Sequence, residues 1–268
     1  MSVPPKRSLG QNFLRDNGTI DRIIKSLELT GDETVVEIGP GRGALTGQLV
    51  ERAARVIAIE FDRELIEPLQ TSFAAGDNFE LINKDALKVD FKALIATAPK
   101  PARIVANLPY YISTPILQHL ISFRNEFTDL TLMFQREVVE RIIAPPGSSY
   151  RGFLTVLAEA AFRVEPLFDV PPEAFFPVPK VSSSVVRLVP KPPLTVDESL
   201  LRRVVSIAFA HKRKTILNNL RASYPSAAED LAHGDIDPIR RAESLTLAEW
   251  LKLAEITSKT PGYDLGSK

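Results

Sequence analysis

Short apolar runs rich in β-branched residues alternate with stretches of helical periodicity through the first two-thirds of the chain. TVVEI (34–38) and RVIAIE (55–60) read as buried strands. Further strands are predicted within FELINKDAL (79–87), within RIVANLPY (103–110) and across DLTLMFQ (129–135). Between them, GALTGQLVERAA (43–54), DRELIEPLQTSF (62–73) and REVVERII (136–143) carry helical patterns. TPILQHLISF (114–123) places apolar residues at 116, 117, 120 and 121, one face of a helix. Strands alternating with helices imply a mostly parallel sheet covered on both faces.

From 165 to 193 the chain is proline-rich, with two short strand candidates around Phe168 and Val185. PKPP (190–193) reads as a stiff linker. Beyond it the pattern is helical only, and TLAEWLKLAEI (246–256) opens with a capping box of Thr246 and Glu249. No internal repeat is present. The expected organisation is an α/β domain over 1–189, with a mobile N-terminal arm over 1–14, and a small all-helical domain over 190–268.

Composition narrows the function. The 268 residues are 44% hydrophobic, enough for a sizeable core. No apolar run approaches the ~18 residues of a membrane span. MSVPPKRSLGQNFL (1–14) lacks the apolar stretch of a signal peptide, so a cytoplasmic protein is expected. The absence of cysteine excludes disulfides, thiolate zinc sites and cysteine nucleophiles, and three scattered histidines argue against a metal site. A net charge of +0 speaks against a globally basic nucleic-acid binder but not against a local basic face. No acid occurs from 199 to 228, where Arg202, Arg203, Lys212, Arg213, Lys214 and Arg221 all fall. Arg202, Arg203, Lys212, Arg213 and Lys214 are candidates for phosphate contacts; a solvated helix face is the alternative. Lys6, Arg7 and Arg15 make the N-terminal tip basic as well.

Candidate chemistry collects at predicted strand ends. EIGPGRGALT (37–46) joins the first strand to the first helix, and Gly39, Gly41 and Gly43 allow a sharp turn and close approach to a ligand. Glu60 ends the next strand, where an acid accepts from both hydroxyls of a ribose. Asp85 follows the third strand, where an acid can accept from an adenine amine or serve as a loop or helix-capping residue. A loop of this kind serves dehydrogenases and methyltransferases, and also occurs as a tight turn with no ligand. NLPYYIS (107–113) follows the fourth strand. Asn107 offers an acceptor, Leu108 is held extended by Pro109 so that its carbonyl direction is fixed, and Tyr110 offers a flat face. Two acceptors beside a stacking platform suit a planar substrate with an amino group, such as adenine. Such an amine is a poor nucleophile, and aiming it at a methylsulfonium is a matter of positioning and electrostatics.

These pieces, taken in order, resemble the KsgA-type ribosomal RNA small-subunit adenine N6,N6-dimethyltransferases over nearly the whole chain. The matching segments are GQNFL (10–14), VEIGPGRGALT (36–46), IEFD (59–62), KDAL (84–87), NLPYYIS (107–113), PPEAFFPVPKVSSSVVRL (171–188) and FAHKRKTILNNL (209–220). The resemblance implies a Rossmann-like, seven-stranded class I methyltransferase domain using S-adenosyl-L-methionine. It implies that Asn12 and Leu14 reach the cofactor from the arm and that Gly39, with Gly41 in the same loop, backs its methionine moiety. Glu60 would then bind the ribose and Asp85 the adenine amine. Asn107 would stand between methyl donor and acceptor, with Tyr110 stacking on one face of the target base and Phe175 covering the other. The implied substrate is a pair of adjacent adenosines in the 3′-terminal hairpin loop of small-subunit rRNA, in an immature subunit, where unstacking a base costs least. A monomer is expected. Rivals are an erythromycin-resistance-type enzyme acting on large-subunit rRNA, a methyltransferase acting on protein glutamine or a DNA base, and a nucleotide-binding dehydrogenase. A protein acting chiefly as a non-catalytic assembly factor is a further alternative.

Overall fold

The structure is a computed structural model, and it describes residues 3–6, 9–74, 76–109 and 112–259. Nine strands occur among the described residues. They are β1 (Phe13–Leu14), β2 (Thr34–Ile38), β3 (Arg55–Glu60), β4 (Phe79–Asn83), β5 (Ala102–Asn107), β6 (Asp129–Gln135), β7 (Phe162–Val170), β8 (Phe175–Phe176) and β9 (Ser183–Pro190). Seven form one sheet in the order β4-β3-β2-β5-β6-β9-β7, and β1 pairs separately with β8. β4, β3, β2, β5 and β6 run parallel, whereas β9 is antiparallel to both of its neighbours. All five residues of β2 are buried, as in a central parallel strand covered on both faces.

Strands and helices read from periodicity lie where expected, with instructive differences. The helix Ser113–Ser122 buries Ile116, Leu117, Leu120 and Ile121, the predicted face. The helix expected over 43–54 is only Thr46–Val50 long, because Gly43, at φ +81°, is outside the right-handed region. The two short strand candidates become a long antiparallel pair, β7 and β9, with a register shift between Pro166 and Phe168. Proline has no N–H to give the ladder, so it sits where the pairing is irregular.

The chain divides into two compact units, one comprising 1–139 with 162–190 and the other 140–161 with 191–268. The division expected at residue 189 is thereby corrected: 140–161 belongs with the helical part. The helix Phe153–Ala161 buries seven of its nine residues. Its Val156 and Ala160 join Leu201, Val205, Leu220 and Trp250 in the second unit's core.

The described residues of the N-terminal arm lie on the first unit. Phe13 and Leu14 pair with Phe176 and Phe175, and Arg15 and Asp16 donate backbone N–H bonds to the Ala174 carbonyl. Lys6 reaches Asp62 at 2.6 Å and Glu64 at 2.9 Å.

The predicted capping box forms in full. Thr246 donates its N–H to Glu249 Oε2 at 2.7 Å, and Glu249 returns its N–H to Thr246 Oγ1 at 3.3 Å. The Arg240 guanidinium against Glu249, followed by the Thr246 bonds, holds that carboxyl down to about 2 from an ordinary 4.5. A depressed folded pKa contributes stability that is present above the ordinary value and is lost as pH falls through the folded one. Thr246→Ala is expected to destabilise the chain by about 1 kcal/mol. Glu249→Gln should lower the melting temperature at pH 7 and have a smaller effect at pH 2; thermal melts across that range check both.

Candidate active site

Parallel pairing brings the carboxyl ends of β2, β3, β4 and β5 to one edge, where open α/β sheets bind ligands. Ile38 of β2 pairs with Ile59 and Ala106, and Glu60 with Asn83, so the site residues beyond them share that edge. A pocket opens there. It is lined by Asn12 and Leu14 of the arm, Gly39 and Gly41 of the glycine loop, Glu60, Asn107, Leu108, Pro109 and Phe175. Three regions far apart in sequence are thus drawn together. Among the described residues no cluster of histidine and acidic side chains is placed to hold a metal.

The glycine loop is shaped for close approach. Gly39 has φ +72°, and a Cβ built there would meet nothing within 4 Å. The space beside it is free for a ligand that a side chain would displace. At Gly43 the reason differs: a Cβ would lie 2.7 Å from the Phe73 ring, so the loop is seated directly on its own domain. The loop is tied to the neighbouring strand by Gly39 N–H to the Ile59 carbonyl, 2.9 Å, and by Gly41 N–H to Glu60 Oε2, 3.2 Å.

Glu60 is 6% exposed. Its Oε1 also accepts from the Asp62 N–H at 2.8 Å. Burial raises its pKa against these two bonds, which favour the carboxylate. A carboxylate has about four lone-pair directions, so two remain for a diol. Next along, Asp62 would also be raised by burial, but bonds from Lys6 and from Gln11 (2.8 Å) bring it below its ordinary value. The arm is therefore bonded to the turn that follows the ribose-type acid.

Asn107 donates Nδ2–H to the Asn12 carbonyl at 3.3 Å. Its Oδ1 makes no hydrogen bond among the described residues, and no donor among them reaches the Leu108 carbonyl. The Pro109 carbonyl is occupied by the Ile112 N–H and by Ser113 Oγ, both at 3.1 Å. Among the described residues, two acceptors at the end of β5 are thus left without a donor. Tyr110 lies outside the described residues.

Asp85 follows β4 and is not among the residues lining the pocket; its Oδ1 accepts from the Leu87 N–H at 3.0 Å and caps a short turn of 3₁₀ helix. Phe175 is 1% exposed and packs with Leu14, Met133 and Val185, so it forms wall rather than a free ring. Arg202, Arg203, Lys212, Arg213 and Lys214 belong to the second unit. The first two lie on the helix Glu198–Ala208, with the Arg202 guanidinium 5.5 Å from the Phe153 ring. Lys212, Arg213 and Lys214 are exposed just before the helix Ile216–Leu220.

Other lining residues escaped the sequence reading. Phe61 is 58% exposed beside Glu60, an apolar ring held in solvent at the pocket. Its signal was its position directly after the ribose-type acid. Arg42 donates to the Val3 carbonyl at 2.7 Å and lies 4.5 Å from the Phe13 ring, clamping arm to loop. Glu37 is buried at the end of β2, with Oε2 accepting from Thr46 Oγ1 at 2.7 Å.

Burial, opposed by the Thr46 bond and reinforced by the Glu60 charge, pushes Glu37 up to about 7 from 4.5. A raised folded pKa gives stability that is present below the ordinary value and lost as pH rises through the folded one. That loss is on the order of 3 kcal/mol. Glu37→Gln keeps the shape without the charge. It is expected to flatten the decline in stability between pH 4.5 and 7 and to melt above wild type at pH 8; denaturant titrations at several pH values check this.

Comparison with known proteins agrees with this arrangement. The family described as Ribosomal RNA adenine dimethylase matches residues 4–259. The Ribosomal RNA small subunit methyltransferase A of Chromohalobacter salexigens is 44% identical over 95% of this chain and 92% of its own. That of Hahella chejuensis is 45% identical over 96% and 94%. Among solved structures, a dimethyladenosine transferase from Plasmodium falciparum superposes with a TM-score of 0.76 at 30% identity, covering 90% of this chain and 95% of that one. The 23S rRNA methyltransferase ErmE gives 0.68 at 28%, covering 92% and 100%. With its pocket at the sheet edge, its open acceptor pair and relatives matched along nearly their full length, the chain belongs to the ribosomal RNA adenine dimethylase family.

Proposed function

We propose that this chain transfers methyl groups from S-adenosyl-L-methionine to N6 of two adjacent adenosines in the 3′-terminal hairpin loop of small-subunit rRNA, dimethylating each. The reading is supported above all by the open acceptors at Asn107 Oδ1 and Leu108 C=O, on the same sheet edge as Gly39 and Glu60. Small-subunit specificity is favoured by the relatives' names and their identity along the chain.

The residues present fit the cofactor. The free space at Gly39 admits its methionine end against the backbone, the spare lone pairs of Glu60 suit the ribose diol, and Phe61 offers a ring face to the adenine. Asn12 and Leu14 close over it from the arm. Asp85, with Oδ1 engaged, retains Oδ2 for an adenine amine. Glu60 supplies an acidic group to a site whose ligand is cationic. When bound, the cofactor supplies an electrophilic methyl on a positively charged sulfur.

The chain's own part is to aim the nucleophile. Asn107 Oδ1 and the Leu108 carbonyl accept the two amine hydrogens, which turns the nitrogen lone pair out of the purine plane. Tyr110 stacks on the base and the Phe175 wall limits it on the other side. Phosphates of the folded RNA meet Lys212, Arg213 and Lys214, with Arg202 and Arg203 on the neighbouring helix. The protein works in the cytoplasm as a monomer, on immature small subunits.

Methyl transfer from labelled S-adenosylmethionine to unmethylated small subunits, large-subunit RNA and free adenosine, followed by nucleoside analysis, tests the reading. Dimethyladenosine from the small subunit alone is the expected product. Label in large-subunit RNA would move the chain to the erythromycin-resistance type instead. Asn107→Ala should lower the turnover number by roughly 100-fold or more. Phe61→Ala should weaken cofactor binding by about 2- to 10-fold and leave turnover at saturation nearly unchanged.

A further inference from the structure

The second unit holds up an aromatic ring that its core does not use. Tyr150 is 59% exposed, and its hydroxyl makes no hydrogen bond among the described residues. The backbone beneath it is nonetheless fixed from several directions. Arg151, only 2% exposed, donates to the Ala144 carbonyl at 3.0 Å and pairs with Glu159 at 2.6 Å. The Gly147 N–H reaches the Glu243 carbonyl at 2.8 Å, and the Tyr150 N–H reaches Ser148 Oγ at 3.2 Å. Loop tips that serve only as connections carry small polar residues and stay loose. This one is anchored through a buried arginine and carries a large flat side chain in water.

Its surroundings indicate what the ring is for. Lys212 Nζ donates to the Ser149 carbonyl at 2.7 Å, which ties the two loops together and fixes a cation on the backbone of the residue that precedes Tyr150. Arg213 and Lys214 follow, both exposed, in a segment with no acid between 199 and 228. An exposed ring on an anchored loop that is bonded to a cationic segment is a combination that binds single-stranded nucleic acid: the ring takes a base, the cations take the flanking phosphates. Because the loop is already ordered, little entropy is lost on binding.

We infer that Tyr150 is a stacking platform for an unpaired base of the ribosomal RNA substrate. The inference rests on the proposed phosphate-binding role of Lys212, Arg213 and Lys214 and adds to it a base-binding element. Stacking releases no counterions, so the two contributions separate in a salt series.

The test is the affinity of the full chain for unmethylated small subunits, and for their protein-free rRNA, between low and moderate salt. Wild type, Tyr150→Ala, Tyr150→Phe and the pair Lys212→Glu/Arg213→Glu are compared, with melting temperatures as a control on folding. Tyr150→Ala is expected to weaken binding to both targets by roughly 5- to 100-fold with the salt slope unchanged. Tyr150→Phe should stay within about twofold of wild type, since the ring is retained. The double charge reversal should flatten the slope. Wild-type affinity in Tyr150→Ala overturns the inference, as does an equal loss in Tyr150→Phe. A loss seen with whole subunits but not with protein-free rRNA also overturns it, because the ring would then meet a ribosomal protein. An unchanged slope in the charge-reversed pair removes the phosphate-binding reading independently.

Discussion

The Glu60 carboxylate is the joint on which the site depends. One oxygen takes the Gly41 N–H and the other takes the Asp62 N–H, so a single buried group fixes both the glycine loop and the turn after β3. Asp62 extends the line to the arm through Lys6 and Gln11. Burying a charge in this way is unfavourable unless it is paired or well hydrogen-bonded. Here the backbone donors offset part of that cost, and the lone pairs left over face the pocket. Removing the carboxylate would free the Gly41 and Asp62 N–H groups, one in the glycine loop and one in the turn after β3.

The same economy recurs along the sheet edge. Asn107 uses its donor on the Asn12 carbonyl, which leaves its acceptor open. The Pro109 carbonyl is engaged by the Ile112 N–H and Ser113 Oγ, while no donor among the described residues reaches the Leu108 carbonyl. Acceptors fixed before the substrate arrives need no reorganisation during transfer, the condition under which electrostatic positioning is most effective. The arm belongs to this preorganisation, since Arg42 holds it by the Val3 carbonyl and the Phe13 ring, and β1 pairs it to β8 beside Phe175.

Much of this was legible in the chain, for physical reasons. β-branched runs such as TVVEI have one stable use in an α/β protein, and the residue types at their carboxyl ends announce the edge they reach. The Thr246–Glu249 capping box is local chemistry and needs no tertiary knowledge. What was not legible is non-local. The helix Phe153–Ala161 lies in sequence between β6 and β7, yet it buries its apolar face with Leu201 and Trp250. A two-residue strand such as β1 has no periodicity to detect, and only its pairing with β8 shows that the arm is docked. Asp85 carries the residue type for a ligand contact, but its Oδ1 is drawn into a local cap, as aspartate often is. Phe61 could have been singled out, because an apolar residue directly after a ligand-binding acid has no reason to face water.

The central claim is that the open acceptors at Asn107 and Leu108 receive the amine of the target base while Glu60 holds the ribose of the methyl donor. The measurement that tests it most directly is a crystal structure of the chain with S-adenosylhomocysteine and adenosine. The account predicts adenine N6 within about 3 Å of both Asn107 Oδ1 and the Leu108 carbonyl. It also predicts the cofactor ribose hydroxyls on Glu60, beside the open face of Gly39. An adenosine bound with its amine away from β5, or a cofactor seated elsewhere than on Glu60, would contradict it.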